Sequence, residues 1–197
     1  MAPTDSPPPV LTRPTLLARR NVAQSELFAI ESLDLRFANG AERTFERLKG
    51  KGRGAVMLVA MPDPDHVLLI REYAAGFDEY TLTLPKGLVD PGEDIITAAN
   101  RELMEECGYG ANRIEPLVEL SLAPNYMNHR IQVMLASDLY ERRLEGDEPE
   151  PLIVETYAID DIAGLLARDD FHEGRAIAAL FIAREKLRSE RESESWW

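Results

Sequence analysis

The chain has 197 residues, 45% of them hydrophobic and 29% charged, with a formal net charge of −13. That length suits one main core with an N-terminal appendage, and the composition is that of a globular protein rather than a disordered or fibrous one. The acidity argues against nucleic acid as a partner, because there is no excess of Lys and Arg to replace counterions. A small phosphorylated substrate is compatible with it if divalent cations stand between the two negative partners.

The first residues, Met1 to Pro9, lack an apolar segment of signal-peptide type, and their prolines suggest a flexible lead, taken here as 1–24. An N-terminal β subdomain is expected over 25–50. Leu33, Leu35 and Phe37 alternate with Asp34 and Arg36, and Asn39-Gly40 then separates this run from Arg43 to Leu48. Two strand-like runs around Asn-Gly predict an antiparallel hairpin.

The main domain is expected over 51–190. Gly54 to Met61 reads as a continuous apolar strand, too short to cross a bilayer, followed by a Pro62 to Asp65 turn. His66 to Tyr73 reads as its antiparallel partner, and Thr81 to Leu84 as a short strand stopped by Pro85. Residues 94–107 predict a helix ended by Gly108. Ile114 to Leu122 and Ile131 to Ala136 return to strand character. Gly146 to Pro151 is an acidic loop, and Leu152 to Ile159 a further strand. Asp160-Asp161 should cap a helix through Ala167, and Gly174 precedes a longer one to about Arg188, with an apolar stripe of Ile177, Leu180, Phe181 and Ile182. A short tail, 191–197, ends in Trp196-Trp197, whose role the sequence leaves open. The expected class is α/β (α+β): a mixed sheet sandwiched between helices, with an N-terminal antiparallel hairpin. The single cysteine, Cys107, rules out an intramolecular disulfide, reads as a core residue, and leaves the cytoplasm as default compartment with no membrane partner. His66, His129 and His172 lack ligand spacing and receive no role.

The chemistry concentrates in the helix at 94–107. At roughly 100° per residue, Ile96, Ala99, Leu103 and Cys107 form an apolar stripe that should face the core. Glu102, Glu105 and Glu106 form an adjacent acidic stripe. Like charges at this spacing cost an isolated helix a few tenths of a kcal/mol per pair, which a solvated face tolerates and a cluster of hard oxygen ligands would put to use. By spacing alone the two alternatives stand level. Ahead of the helix, Gly87 and the Asp90-Pro91-Gly92 turn allow a backbone carbonyl, that of Lys86, to approach the glutamates. Glu93 stands at the helix entrance, and Arg101 is placed to orient the carboxylates through charge-assisted hydrogen bonds.

The complete string breaks the tie. Gly87, five residues, Glu93, seven residues, then Arg101-Glu102-Leu103-Met104-Glu105-Glu106-Cys107-Gly108-Tyr109 closely resembles the Nudix box, matching every fixed position. Tyr109, where a branched aliphatic is usual, is the one soft departure. The chain therefore resembles the Nudix hydrolases, and the resemblance implies the Nudix fold and hydrolysis of a nucleoside diphosphate linked to another group. It implies Mg²⁺, with Mn²⁺ as an alternative, held by Glu102, Glu105, Glu106 and the Lys86 carbonyl. It places Glu105, Arg101 and Glu93 among the catalytic and supporting residues.

Ile70 to Tyr73, Leu122 to Pro124 and Leu144 to Pro151 extend the similarity to the ADP-ribose pyrophosphatase branch, and within it to bacterial hydrolases of ADP-linked compounds. That implies ADP-ribose, NADH and diadenosine polyphosphates as substrates, with release of AMP. It also implies a general base on the 144–151 loop, where Glu148 aligns best and Glu145 and Glu150 are alternatives. The branch exchanges its N-terminal hairpin within a homodimer, which makes Phe28, Glu46 and Arg47 adenine contacts, with Arg71 as a phosphate or purine contact and Pro124 accompanying ADP-ribose preference. Plain structural roles remain open beside these: Phe28 as core, Arg47 as a surface charge, Pro124 as a strand breaker, and the acidic loop as a solvated turn. A nucleotide sensor without catalysis is the alternative function, opposed by the complete box and the want of a basic recognition helix. An EF-hand-like Ca²⁺ loop is absent from the sequence.

Overall fold

The computed structural model of the chain describes residues 11–50, 52 and 54–194. Trp196-Trp197 and the first residues of the expected lead lie outside the described residues. Contacts divide the chain into two units, one comprising Met1–Lys51 with Ala123–His129 and the other Gly52–Leu122 with Arg130–Trp197.

In the first unit, β1 (Thr15–Gln24), β2 (Ala29–Arg36) and β3 (Glu42–Leu48) form an antiparallel sheet in that spatial order. The Asn39-Gly40 turn is present as expected: Gly40 adopts φ 80°, and the Asn39 side chain accepts the Ala41 N–H at 3.0 Å. Residues 15–24, assigned from sequence to a flexible lead, are instead a full strand paired along β2. β1 is exposed over almost its whole length, so it carries no alternation of apolar and polar residues that a sequence pattern could register. The middle of β2 is buried, and Arg19 and Arg47 converge on the buried Glu31 carboxylate at 3.2 and 3.3 Å. Ala123–His129 joins this unit through the Leu48 N–H, which donates to the Tyr126 carbonyl at 2.8 Å, and the Gly50 N–H, which donates to Asn128 Oδ1 at 3.2 Å.

The second unit holds β4 (Ala55–Ala60), β5 (His66–Ala74), β6 (Glu79–Thr83), β7 (Lys86–Leu88), α1 (Ile95–Glu106), β8 (Tyr109–Ser121), β9 (Arg130–Glu141), β10 (Ile153–Ala158), α2 (Ile162–Leu166) and α3 (Gly174–Glu194). Its strands form a mixed sheet, β7-β4-β9-β8, and an antiparallel one, β10-β5-β6. β4 is buried on both faces, and its side chains alternate between two cores. Met57 and Val59 pack with Ile162, Leu165 and Leu180 of α2 and α3, whereas Val56, Leu58 and Ala60 share a core with Ala98, Ala99 and Leu103 of α1. The expected mixed sheet between helices is thus present.

Three expectations need correction. β4 and β5 are not partners: β4 lies between β7 and a parallel β9, while β5 pairs with β6 and β10. A fully apolar strand is satisfied in the centre of a sheet, so the tight Pro62 to Asp65 turn passes between two sheets instead of closing a hairpin. On α1, Ile96 is exposed; Ala98, Ala99, Leu103 and Met104 face the core, with Asp94 capping the helix by accepting the Ile96 and Thr97 N–H groups at 3.1 Å each. On α3, Ala176, Ala179, Leu180 and Ala183 are the buried stripe, and exposed Phe181 lies beneath the Arg184 guanidinium at 4.9 Å. Small alanines fit against the sheet where bulkier neighbours do not, a choice that hydrophobicity alone does not encode.

Leu103 is fully buried between α1 and the sheet. Leu103→Ala should lower stability by about 2–5 kcal/mol through the cavity left behind, measured as a reduced urea midpoint; an unchanged midpoint would contradict this packing.

Candidate active site

β7 runs antiparallel to β4, which places Gly87 opposite Val56 and presents the Lys86–Leu88 backbone to α1. The approach is close: a Cβ at Gly87 would lie 2.1 Å from the Glu102 carboxylate carbon, so any side chain there would push that carboxylate from its place. The following turn is closed by the Glu93 N–H donating to the Asp90 carbonyl at 3.0 Å, with Gly92 at φ 84°. Glu93 accepts the Asp90 N–H in return at 3.1 Å.

Arg101 ties these parts together. Its Nε and Nη2 form a fork on Glu93 at 3.0 Å each, and Nη2 also donates to the Leu88 carbonyl at 2.9 Å. Nη1 donates to Glu102 at 2.8 Å and Glu105 at 2.9 Å. All five guanidinium N–H groups are therefore used, and the arginine is held protonated most strongly by Glu93.

Glu106 is handled separately. It is only 5% exposed, and its carboxylate accepts the Lys86 N–H at 2.8 Å. Burial pushes its pKa up to about 8, with Glu102 and Glu72 adding to the rise against the opposing charge of Lys86. Burial also raises Glu102 above the ordinary carboxylate range. The Lys86 ammonium is engaged by Glu72 on β5.

These side chains line one wall of a cleft of about 980 Å³ whose other wall is the 144–151 loop. The Leu144 N–H donates to the Met104 carbonyl at 3.2 Å, and Gly146 packs over Glu105 of α1. Glu145, Glu148 and Glu150 all line the cleft, but differ in their engagement. Glu150 accepts the Tyr80 hydroxyl. Glu148 has its pKa raised, first by partial shielding from water and then by Glu72 and Asp147.

Sequence-assigned residues thus fall into two sets. Lys86, Glu93, Arg101, Glu102, Glu105, Glu106 and Glu148 come together at the cleft or on the residues lining it. Phe28, Glu46, Arg47 and Pro124 belong to the other unit. Phe28 is exposed there rather than core, and Arg47 Nη2 is held by Glu31 while its buried Nε has no hydrogen-bond partner. Arg71 is committed elsewhere, pairing with Glu155 and Asp170 at 2.7 Å each. Asp170 sits well below the usual carboxylate range, chiefly through Arg168 and then Arg71. Glu72 and Tyr80 are contacts that sequence reasoning missed. Both lie on strands, where partners depend on sheet register and not on sequence spacing.

The family model for the NUDIX domain matches residues 51–180, and that for the NudE-type Nudix hydrolase N-terminal domain matches 14–47. The chain belongs to the Nudix hydrolase family. Its similarity to the ADP compounds hydrolase NudE of Escherichia coli K12 is 48% identity over 91% of this chain and 96% of that protein. The ADP-ribose pyrophosphatase of Bacillus subtilis is 24% identical over 83% of this chain and 91% of its own. The crystal structure of an ADP compounds hydrolase superposes with a TM-score of 0.87 at 47% identity, covering 93% of this chain and 98% of that one. Nudix pyrophosphohydrolases act on small nucleotide substrates with divalent metal cations, which suits a cleft walled by carboxylates. Among the described residues no helix is long and apolar enough to cross a membrane.

The elevated Glu106 pKa has a consequence for the metal-free Nudix hydrolase. Folding raises this group from an ordinary value of about 4.3 to about 8. Between those values the folded state binds more protons than the unfolded state, so stability falls as pH rises through the window and levels off above it. Urea midpoints measured in EDTA should decline more across that range in the wild type than in Glu106→Gln. Parallel profiles would contradict the assignment.

Proposed function

We propose that this Nudix hydrolase uses Mg²⁺, with Mn²⁺ able to replace it, to hydrolyse the diphosphate of ADP-linked compounds such as ADP-ribose, NADH and diadenosine polyphosphates, releasing AMP. The observation that carries the reading is the near-complete coverage of the E. coli ADP compounds hydrolase at 48% identity, in a chain whose Gly87, Arg101, Glu102, Glu105 and Glu106 line one cleft.

The donor set suits a hard divalent cation: Glu102, Glu105 and Glu106 offer carboxylate oxygens, and Lys86 its carbonyl. As folded here, Arg101 holds Glu102 and Glu105 while Glu106 turns to the Lys86 N–H, and no group of three acidic, His or Cys side chains converges as a metal shell among the described residues. The burial-raised Glu106 and Glu102 nevertheless favour a compensating positive charge at this wall. Bound cations would neutralise the diphosphate and acidify the attacking water. Arg101 and Glu93 keep the carboxylates oriented. Glu148 takes the proton from the attacking water, a role supported by its place on the cleft and its raised pKa, whereas Glu150 is occupied by Tyr80. In a homodimer, Phe28, Glu46 and Arg47 from a second subunit would contact adenine, a reading supported by the exposed Phe28 ring. Pro124 accompanies the ADP-ribose preference. Arg71, held by Glu155 and Asp170, would need release from that network to reach substrate.

Glu106→Gln should lower kcat by about 10²–10³-fold, the equivalent of several kcal/mol of lost charge stabilisation, with the circular dichroism spectrum preserved; near-normal turnover would sink the mechanism. Glu148→Gln should lower kcat by about 10²–10⁴-fold while leaving cation affinity intact. In a kcat/KM panel, ADP-ribose, NADH and diadenosine polyphosphates should each exceed nucleoside triphosphates. A preference for the triphosphates would overturn the substrate assignment.

A further inference from the structure

The 144–151 loop has a physical problem. It brings Glu145, Asp147, Glu148 and Glu150 toward a wall built from Glu102, Glu105 and Glu106, so electrostatic repulsion favours its moving away. At its start it is attached by the Leu144 N–H to α1, and it ends where Ile153 enters β10 opposite Arg71. Between those points, at positions 145–152, one hydrogen bond ties it to the remainder of the unit among the described residues: the Tyr80 hydroxyl donates to Glu150 Oε1. The residue proposed as general base, Glu148, lies two positions from that bond.

Tyr80 is suited to hold a point in space. It sits on β6 directly opposite Tyr73 of β5, and the two rings pack edge to face at 5.6 Å. Tyr73 is itself fixed, because its hydroxyl donates to Asp78. The Tyr80 hydroxyl therefore projects from a paired strand, the kind of support that places a group more accurately than a loop does. Its own acceptor is a carboxylate, which makes the bond charge-assisted and strong for its type.

We propose that Tyr80 is a positioning residue: by holding Glu150 it keeps the 144–151 loop against the cleft with Glu148 turned toward the box glutamates. The inference rests on the reading of Glu148 as the base, but the anchoring itself does not require turnover. Tyr80 is half exposed, so removing its hydroxyl leaves the core intact.

Two readouts test this. By limited proteolysis with a glutamate-specific protease, Tyr80→Phe should speed cleavage after Glu145 about tenfold or more, without new cleavage in β4 or α1. In steady-state kinetics on ADP-ribose, the same variant should lower kcat about tenfold with KM within about twofold. Glu150→Ala should reproduce both effects, and the double variant should be no worse than either single one. Glu150→Gln, whose amide oxygen still accepts from Tyr80, should recover much of the loss. Unchanged loop cleavage in Tyr80→Phe overturns the anchor. Faster cleavage with kcat unaltered overturns its positioning role. If the wild type fails to cleave any ADP-linked compound yet its loop is loosened by Tyr80→Phe, the substrate reading falls and the anchor stands.

Discussion

The site depends on one guanidinium. Without Arg101, Glu93, Glu102 and Glu105 would repel one another at the junction of β7, the turn and α1; with it, three carboxylates and the Leu88 carbonyl share a single planar donor set. A lysine could supply the charge but not five directed donors. The same contact ties a strand backbone to a helix face, and it works only because Gly87 has no Cβ to push Glu102 away. The glycine, the glutamates and the arginine of the box are thus parts of one packing solution.

That solution needs a rigid mount. β4 provides it, as a strand with every residue buried, whose alternate side chains enter two separate cores. β7 is registered on β4, and α1 presses its alanines and Leu103 against the same sheet face. Positional accuracy at the carboxylates is therefore inherited from ordinary hydrophobic packing. The opposite wall of the cleft is built differently. The 144–151 loop has no ladder of its own and carries like charges toward like charges, so it depends on a few attachments.

Electrostatics connects the two walls to the substrate. Lys86 and Arg101 are cations at the cleft, but Glu72 and the box carboxylates already engage them. A diphosphate approaching such a surface must be met by divalent cations, which is the chemistry of the family. The chain's charge of −13 is consistent with a small anion admitted through metal. Burial of Glu106 expresses the same balance inside one side chain: the fold keeps a carboxylate where burial disfavours its charge.

The sequence by itself determined whatever depends on local spacing. The box, the Asp161 cap, the stop at Gly108 and the Asn39-Gly40 turn were all legible, because helix faces and turns are governed by residues only a few positions apart. Family resemblance added the substrate class and the fold. Tertiary structure alone decided which strands meet. β4 turned out to pair with β7 and β9 instead of β5, β1 occupied a stretch with no apolar rhythm, and the buried helical stripes favoured alanines over Ile96 and Phe181. It also decided that Glu72 holds Lys86, that Tyr80 holds Glu150, and that Arg71 is bound to Glu155 and Asp170. Each of these pairs joins residues far apart in the chain, and their meeting follows from strand order and register, for which sequence spacing carries no local signal.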